Sequence, residues 1–321
     1  MSRHFHTVAV LGAGTMGHGI ALVHALGGCA VKLQDTDPQV RARAPGMIRS
    51  AANMLVEAGF ASAADAHAAV GRIGVLDRLD DTVAGADLII EAVVEDPVVK
   101  RKVFAEIDRA VPDDVVIASN TSGLDVFPLV PERRAKRTMI THWYAPAYII
   151  DLVDVVGSPA TEPKLLEEMH AFLTGLGKRP ILLKRFIVGY IANRLQEALS
   201  REIYRLLDDG YATAQDIDDS IRYALAERMV LFGHLMKSDY AGLPLLQKVL
   251  ANKTYDPPPL RDHCDALDRL VAAGRTGVMS GAGFFDYGGR PPAELLKERD
   301  RKLLALKQAL RKMGVSRPKE S

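Results

Sequence analysis

The chain has 321 residues, 48% of them hydrophobic, with 41 basic and 40 acidic side chains. That length suits about two domains with substantial cores, and so even a charge balance argues against a nucleic-acid field or a polybasic membrane patch. Two cysteines, Cys29 and Cys264, cannot build a disulfide framework and lack metal-ligand spacing, so a reducing, cytoplasmic setting without a metal is expected.

Met1–His6 is too short for a targeting peptide, and no apolar run reaches the ~18 residues of a membrane span. Val8–Leu11 is a short apolar run, as in a strand buried on both faces. Gly12, Gly14 and Gly17 then complete G-x-G-x-x-G around Thr15 and Met16, a helical run extends from Met16 to Leu26, and Ala30–Leu33 closes on Asp35. Gly12 permits the tight turn, Gly14 lets a pyrophosphate approach the backbone, and Gly17 lets helix and strand pack. The helix N-terminus presents free N–H groups and a positive dipole end to phosphate. Asp35, eighteen residues beyond Gly17, suits the adenosine ribose hydroxyls and repels a 2′-phosphate, which favours NAD over NADP.

Further along, Val40–Leu55 reads as a helix interrupted by Pro45-Gly46, and Ser62–Val70 as another. Arg72–Leu76 and Ala86–Val94 read as strands, Val98–Ala110 as a helix, and Val115–Ala118 as a strand running into Ser119-Asn120-Thr121-Ser122-Gly123. Pro128–Arg137 is a loop or short helix. Thr138–Trp143 and Ile150–Val156 are strands, Lys164–Leu176 a helix, and Pro180–Lys184 the last strand. Alternating strands and helices predict an α/β doubly wound, mostly parallel Rossmann sheet over residues 1–185. From residue 186 the pattern turns helical: Ile187–Leu207, Ala214–Glu227, Leu243–Leu250, Leu260–Ala273 and Pro292–Lys312. Residues 186–321 therefore read as an all-α second domain, ending in a polar, frayed Arg311–Ser321 tail. Ligands of doubly wound folds bind beyond the C-terminal strand ends, so substrate is expected between those ends and the helical domain.

Ser122, His142 and Asn193 are the polar groups at that edge, and Asp154 lies within the apolar strand Leu152–Val156. A buried carboxylate needs a partner. One bound to an imidazole nitrogen fixes the tautomer and leaves the other nitrogen to accept a proton. His142 and Asp154 form such a dyad if their strands are neighbours. A satisfied core histidine and a helix-to-helix Asn193 bond are the alternatives.

V-L-G-A-G-T-M-G-H-G-I-A (Val10–Ala21), I-E-A-V-V-E-D-P-V-V-K-R-K-V-F (Ile90–Phe104), A-S-N-T-S-G-L (Ala118–Leu124), H-W-Y-A-P (His142–Pro146), I-A-N-R-L (Ile191–Leu195) and S-G-A-G-F-F-D-Y (Ser280–Tyr287) span nearly the whole chain. With them the chain resembles the L-3-hydroxyacyl-CoA dehydrogenase family, which includes L-gulonate dehydrogenase (lambda-crystallin) and carnitine dehydrogenase. The resemblance implies His142 as catalytic histidine, Asp154 as its orienting acid, Ser122 beside substrate and nicotinamide, and Asn193 on the substrate side. It also implies Glu95 and Lys100 as cofactor contacts, NAD as cofactor and a homodimer.

Departures from the family pattern bear on the substrate. Asp154 stands where the family usually has Glu, about 1.5 Å shorter, so its strand must sit closer or a water must bridge. Ala145 replaces an asparagine, Met279 precedes S-G-x-G-F where relatives often carry lysine, and Phe232-Gly233-His234 replaces G-P-F, with His234 more readily a packing or exposed residue than a substrate contact. The helix that meets coenzyme A in acyl-CoA enzymes reads S-A-A-N-M-L-V-E-A-G here, without the lysine that pairs with phosphate. Acyl-CoA is the family default and slightly ahead. Against it stands a smaller 3-hydroxy acid, a carnitine-like compound or a hydroxymethyl or aldehyde heterocycle. A non-catalytic NAD-binding structural or sensor protein is the reading from another class.

Overall fold

A computed structural model describes residues 5–253 and 255–315. The expectations for Met1–His6 and for the Arg311–Ser321 tail fall partly outside them. The chain divides into two compact units, between Tyr190 and Ile191.

The first unit is built on one eight-stranded sheet. Its strands are β1 (Thr7–Leu11), β2 (Ala30–Gln34), β3 (Ile73–Leu76), β4 (Leu88–Glu91), β5 (Val116–Ser119), β6 (Thr138–Trp143), β7 (Leu152–Gly157) and β8 (Arg179–Leu183), in the order β3-β2-β1-β4-β5-β6-β7-β8. All pairs are parallel except β6 with β7. The order reverses beside β1, the switch point where doubly wound sheets bind ligands. Val8 to Leu11 are fully buried, as a central strand covered on both faces requires.

Helices α1 (Gly17–Leu26), α2 (Pro38–Glu57), α3 (Ala63–Gly71), α4 (Leu79–Val83), α5 (Pro97–Ala110) and α6 (Pro163–Gly175) connect the strands. Their starts follow local chemistry. Asp37, Ser62 and Asp96 accept backbone N–H groups as N-caps of α2, α3 and α5, and proline opens α2 and α5, where its missing N–H costs nothing. Pro45 lies inside α2, which continues to Glu57 rather than being interrupted. The five-residue α4 is too short to show a helical period and has no counterpart in the sequence reading. The strand expected over Ala86–Val94 is shorter. After Glu91 the chain leaves the sheet, the Glu91 carboxylate accepts the Val93 N–H, and Val94 is exposed.

The second unit holds α7 (Ala192–Asp208), α8 (Ala214–Ser220), a π-helical stretch over Ile221–Ala226, α9 (Glu227–Ala241), α10 (Leu243–Ala251), α11 (Asp265–Ala272) and α12 (Pro292–Lys312). The helix expected from Ile187 starts five residues later. Gly189 and Tyr190 take positive φ values of 77° and 49°, which a helix cannot accommodate. Thr213 and Asp216 form a reciprocal capping box that starts α8. Gly233, at φ 70°, breaks the regular geometry of α9. The helix expected from Leu260 begins only at Asp265, where the Asp208 carboxylate accepts the N–H groups of Asp265 and Ala266. Ser280 folds S-G-A-G-F-F-D-Y back on itself, its hydroxyl donating to the Gly277 and Ala282 carbonyls. No helix among the described residues is long and apolar enough to cross a membrane.

Candidate active site

Two functional features line the C-terminal edge of the parallel strands. The first is the turn after β1. Gly12 sits at φ 101°, and a Cβ there would come within 2.4 Å of the Ala92 carbonyl oxygen. A Cβ on Gly17 would stand 1.7 Å from the Gly12 oxygen, so only glycine lets α1 start this close to β1. At Gly14 nothing lies within 4 Å of the same position. That open backbone, with Thr15 exposed beside it, adjoins the first turn of α1, which no side chain caps at Met16. This is the arrangement a pyrophosphate needs. Asp35 stands just past β2, its Oδ2 accepting the Ala13 N–H at 2.8 Å and its Oδ1 the Asp37 N–H at 2.9 Å. It thereby ties the turn after β1 to the end of β2. The residues present fit NAD, with the turn for the phosphates and Asp35 for the adenosine ribose.

The second feature is a histidine–carboxylate pair. His142 and Asp154 are direct cross-strand partners in the antiparallel β6–β7 pair, and such partners lie close enough for side-chain contact. His142 Nδ1 lies 3.3 Å from Asp154 Oδ2, and His142 Nε2 lies 3.3 Å from the Ser122 hydroxyl. The carboxylate opposite Nδ1 assigns the ring proton there, so Nε2 accepts from Ser122. The shorter aspartate thus reaches the imidazole directly. Both residues are buried, and Asp154 Oδ1 has no hydrogen-bond partner among the described residues.

Two tyrosines that the sequence reading did not single out complete the group. Tyr144 packs edge-on to the imidazole, ring centres 4.5 Å apart, and donates to Asp154 Oδ2 at 2.7 Å. Tyr190 packs on His142 at 4.7 Å and donates to the Thr121 carbonyl at 2.6 Å. Burial, reinforced by Asp154, pushes the Tyr144 hydroxyl well above its ordinary range; burial, with Glu95 and Asp154 nearby, does the same to Tyr190. Both remain donors. The two-residue alternation of a strand was a signal for Tyr144, since residues 142 and 144 share a face. Tyr190 lies in an irregular loop and gave no such signal.

Ser122 is held through Glu95. Glu95 Oε1 accepts the Thr121 hydroxyl at 2.6 Å and the N–H groups of Ser122 and Gly123 at 2.7 and 3.0 Å. Burial works to raise this carboxyl, but the Thr121, Gly123, Lys100 and Ser122 interactions together hold it below its usual range. Lys100 is fully buried. Its ammonium lies 2.6 Å from Oε1 of the equally buried Glu91 and 3.3 Å from Glu95 Oε2. Glu91 also accepts the Ser119 hydroxyl at 2.5 Å. Asn120 Oδ1 takes the Trp143 N–H at 2.9 Å, carrying the β5–β6 alignment past the strand ends. Ser122, His142, Asp154, Glu95 and Lys100 therefore form one connected cluster in the first unit. Asn193 lies on the first turn of α7 and His234 is exposed on α9, both in the second unit.

The model of the 3-hydroxyacyl-CoA dehydrogenase NAD-binding domain matches residues 7–186, and that of the 3-hydroxyacyl-CoA dehydrogenase C-terminal domain matches residues 189–287. The chain belongs to this family. It is an NAD-dependent dehydrogenase that acts on a hydroxyl group.

Among family members it is similar to 5-formyl-3-hydroxy-2-methylpyridine 4-carboxylate 5-dehydrogenase of Mesorhizobium japonicum, 30% identical over 94% of this chain and 97% of that one. It is 33% identical to L-carnitine dehydrogenase of Nocardiopsis dassonvillei, over 95% and 91% of the two chains. It is also 33% identical to 3-hydroxybutyryl-CoA dehydrogenase of Mycobacterium tuberculosis, over 89% and 100%. A solved structure of the pyridine-carboxylate enzyme, described as an NAD+-dependent dismutase, superposes with a TM-score of 0.87 at 29% identity, covering 96% of this chain and 99% of that one.

Proposed function

We propose that this dehydrogenase takes a small substrate without coenzyme A, such as a 3-hydroxy acid, a carnitine-like compound or a hydroxymethyl or aldehyde heterocycle. The chain of contacts from Ser122 through His142 to Asp154 carries the catalytic reading. His142 Nε2 takes the hydroxyl proton, Asp154 stabilises the imidazolium that forms, and Ser122 holds the reacting oxygen. NAD, when bound, receives the hydride. Gly12, Gly14, Thr15, Met16, Gly17, Asp35 and the part-exposed Glu95 are its proposed contacts, whereas Lys100, fully buried against Glu91, acts through Glu95 and not by direct contact. Glu95, held by Lys100, fixes the loop that carries Ser122. Asn193 is proposed on resemblance as a further substrate-side donor.

On α2 no lysine stands from Pro38 to Glu57, but exposed Arg43 and Arg49 can still meet phosphate, so this helix does not decide between the two substrate classes. Similarity to the pyridine-carboxylate and carnitine enzymes over more than nine-tenths of this chain supports the small-substrate reading. A 3-hydroxyacyl-CoA substrate, with a place in fatty acid metabolism, is the second reading, favoured by the 3-hydroxybutyryl-CoA relative. We further infer a cytoplasmic homodimer. Unpaired cysteines and the apolar residues Leu195 and Leu199 exposed on α7 support it, and light scattering at twice the chain mass tests the assembly.

The test follows nicotinamide absorbance with acetoacetyl-CoA, free 3-keto and 3-hydroxy acids, carnitine and pyridine aldehydes. Turnover with the thioester alone overturns the small-substrate reading. His142→Gln should abolish turnover and leave NADH binding intact, and full activity in it would remove His142 from the role. NADH binding with no turnover on any compound would favour a non-catalytic protein.

A further inference from the structure

Asp154 is held by two donors on one oxygen. The His142 contact is long at 3.3 Å, and the Tyr144 contact is short at 2.7 Å. The second oxygen, Oδ1, has no hydrogen-bond partner among the described residues. The imidazole therefore contributes the weaker of the two tethers on this carboxylate, since hydrogen bonds weaken as they lengthen. Tyr144 remains protonated, so it acts as a donor and not as a base. Its ring meets His142 edge-on at 74°, and Tyr190 lies against the same imidazole at 34°. The residue that orients the acid thus also confines the ring the acid serves.

We propose that Tyr144 is a positioning residue: its hydroxyl occupies the space left by the short arm of Asp154 and fixes Oδ2 opposite His142 Nδ1. The proposal rests on the reading of His142 as the proton acceptor. Without the hydroxyl, the long imidazole contact is what Asp154 keeps among the described residues, and the His142 tautomer and orientation loosen. Substrate and cofactor do not touch the hydroxyl in this scheme, so its loss appears in kcat and not in KM.

Tyr144→Phe keeps the ring and removes the donor. With the substrate that turns over in the panel above, kcat should fall about tenfold or more, as loss of a hydrogen bond to a charged group implies. KM and the NADH dissociation constant should stay within about twofold, inside the usual spread of a surface change. Asp154→Glu alone should also be slow, because the added methylene, about 1.5 Å of reach, runs into the Tyr144 hydroxyl. In the double variant the longer acid occupies the vacated space, and kcat should exceed that of both single variants.

A spectroscopic reading needs no substrate. In isotope-labelled protein the His142 Nδ1–H resonance, assigned by its loss in His142→Gln, should move in Tyr144→Phe and return towards its original position in the double variant. Unchanged kcat and an unmoved resonance in Tyr144→Phe overturn the proposal. So does a raised KM at constant kcat, which would make Tyr144 a substrate contact. If Tyr144→Phe alone does not fold, a double variant no faster than Asp154→Glu overturns it as well. Failure of the underlying reading looks different, because there His142→Gln itself stays active.

Discussion

Lys100→Met tests what holds the Thr121–Gly123 loop in place. Lys100 and Glu91 are both fully buried, with 2.6 Å between ammonium and carboxylate. Methionine preserves the length and apolar stem of the side chain and deletes only the charge. Glu91 would keep the Ser119 hydroxyl and the Val93 N–H as donors, but its charge would lie uncompensated in a dry interior. Breaking one side of such a buried pair costs about 3–5 kcal/mol. A domain's whole stability is roughly 5–15 kcal/mol. Each kcal/mol lowers Tm by roughly 2–4 °C at this size, so thermal melting should shift down by roughly 6–20 °C. Glu95 loses its ion-pair partner at the same time, so the Thr121–Gly123 loop should loosen and turnover should fall with Tm. Lys100→Met/Glu91→Gln removes the stranded charge and should recover most of the melting temperature. The assay is circular dichroism melting of both variants beside the wild type. A shift in Lys100→Met below ~2 °C, which is less than one kcal/mol, would refute the view that this pair is electrostatically essential.

The remaining predictions concern the cofactor turn and one core histidine. Gly17→Ala places a Cβ 1.7 Å from the Gly12 oxygen, and overpacking of about 1–3 kcal/mol should raise the NADH dissociation constant about tenfold in a fluorescence titration. Gly14→Ala has open space around its Cβ, so it should leave Tm unchanged while weakening NADH. Asp35→Ala should cost NADH roughly tenfold or more in affinity, as loss of a charge-assisted bond implies, and narrow the preference over NADPH in parallel titrations. His24 is fully buried, and that burial lowers its pKa from 6.5 to about 4. The unfolded chain then takes up a proton that the folded chain refuses between those two values. Stability is therefore complete above about 6.5, falls as pH drops, and by about pH 4 has lost about 3 kcal/mol. His24→Leu should flatten that stretch of a urea-denaturation pH profile, and an unchanged slope would count against it.

The sequence alone determined the parts that are local. The turn after β1 was legible because its glycines answer to sterics within one strand–helix unit, and Asp35 followed from the span of that unit. The caps at Ser62 and Thr213 and the proline near the start of α5 are equally short-range. Most strands lie close to where periodicity places them, whereas α4 and α9 have no counterpart in the pattern and α7 and α11 start later than it suggests. Tertiary structure decided whatever depends on residues far apart in the chain. The strand pairing put Asp154 directly opposite His142, and the direct contact settled that the shorter acid needs no bridging water. Glu95 reaches across 27 positions to the Ser122 N–H. Glu91 and Lys100 bury their charges against each other, a pairing that no hydrophobic pattern signals. The start of α7 was misplaced because the positive φ at Tyr190 accompanies a hydroxyl bond to Thr121, a partner 69 residues away. Periodicity records which face of an element is apolar; which polar groups meet is set by the register of β6 on β7 and by loops that carry no period at all.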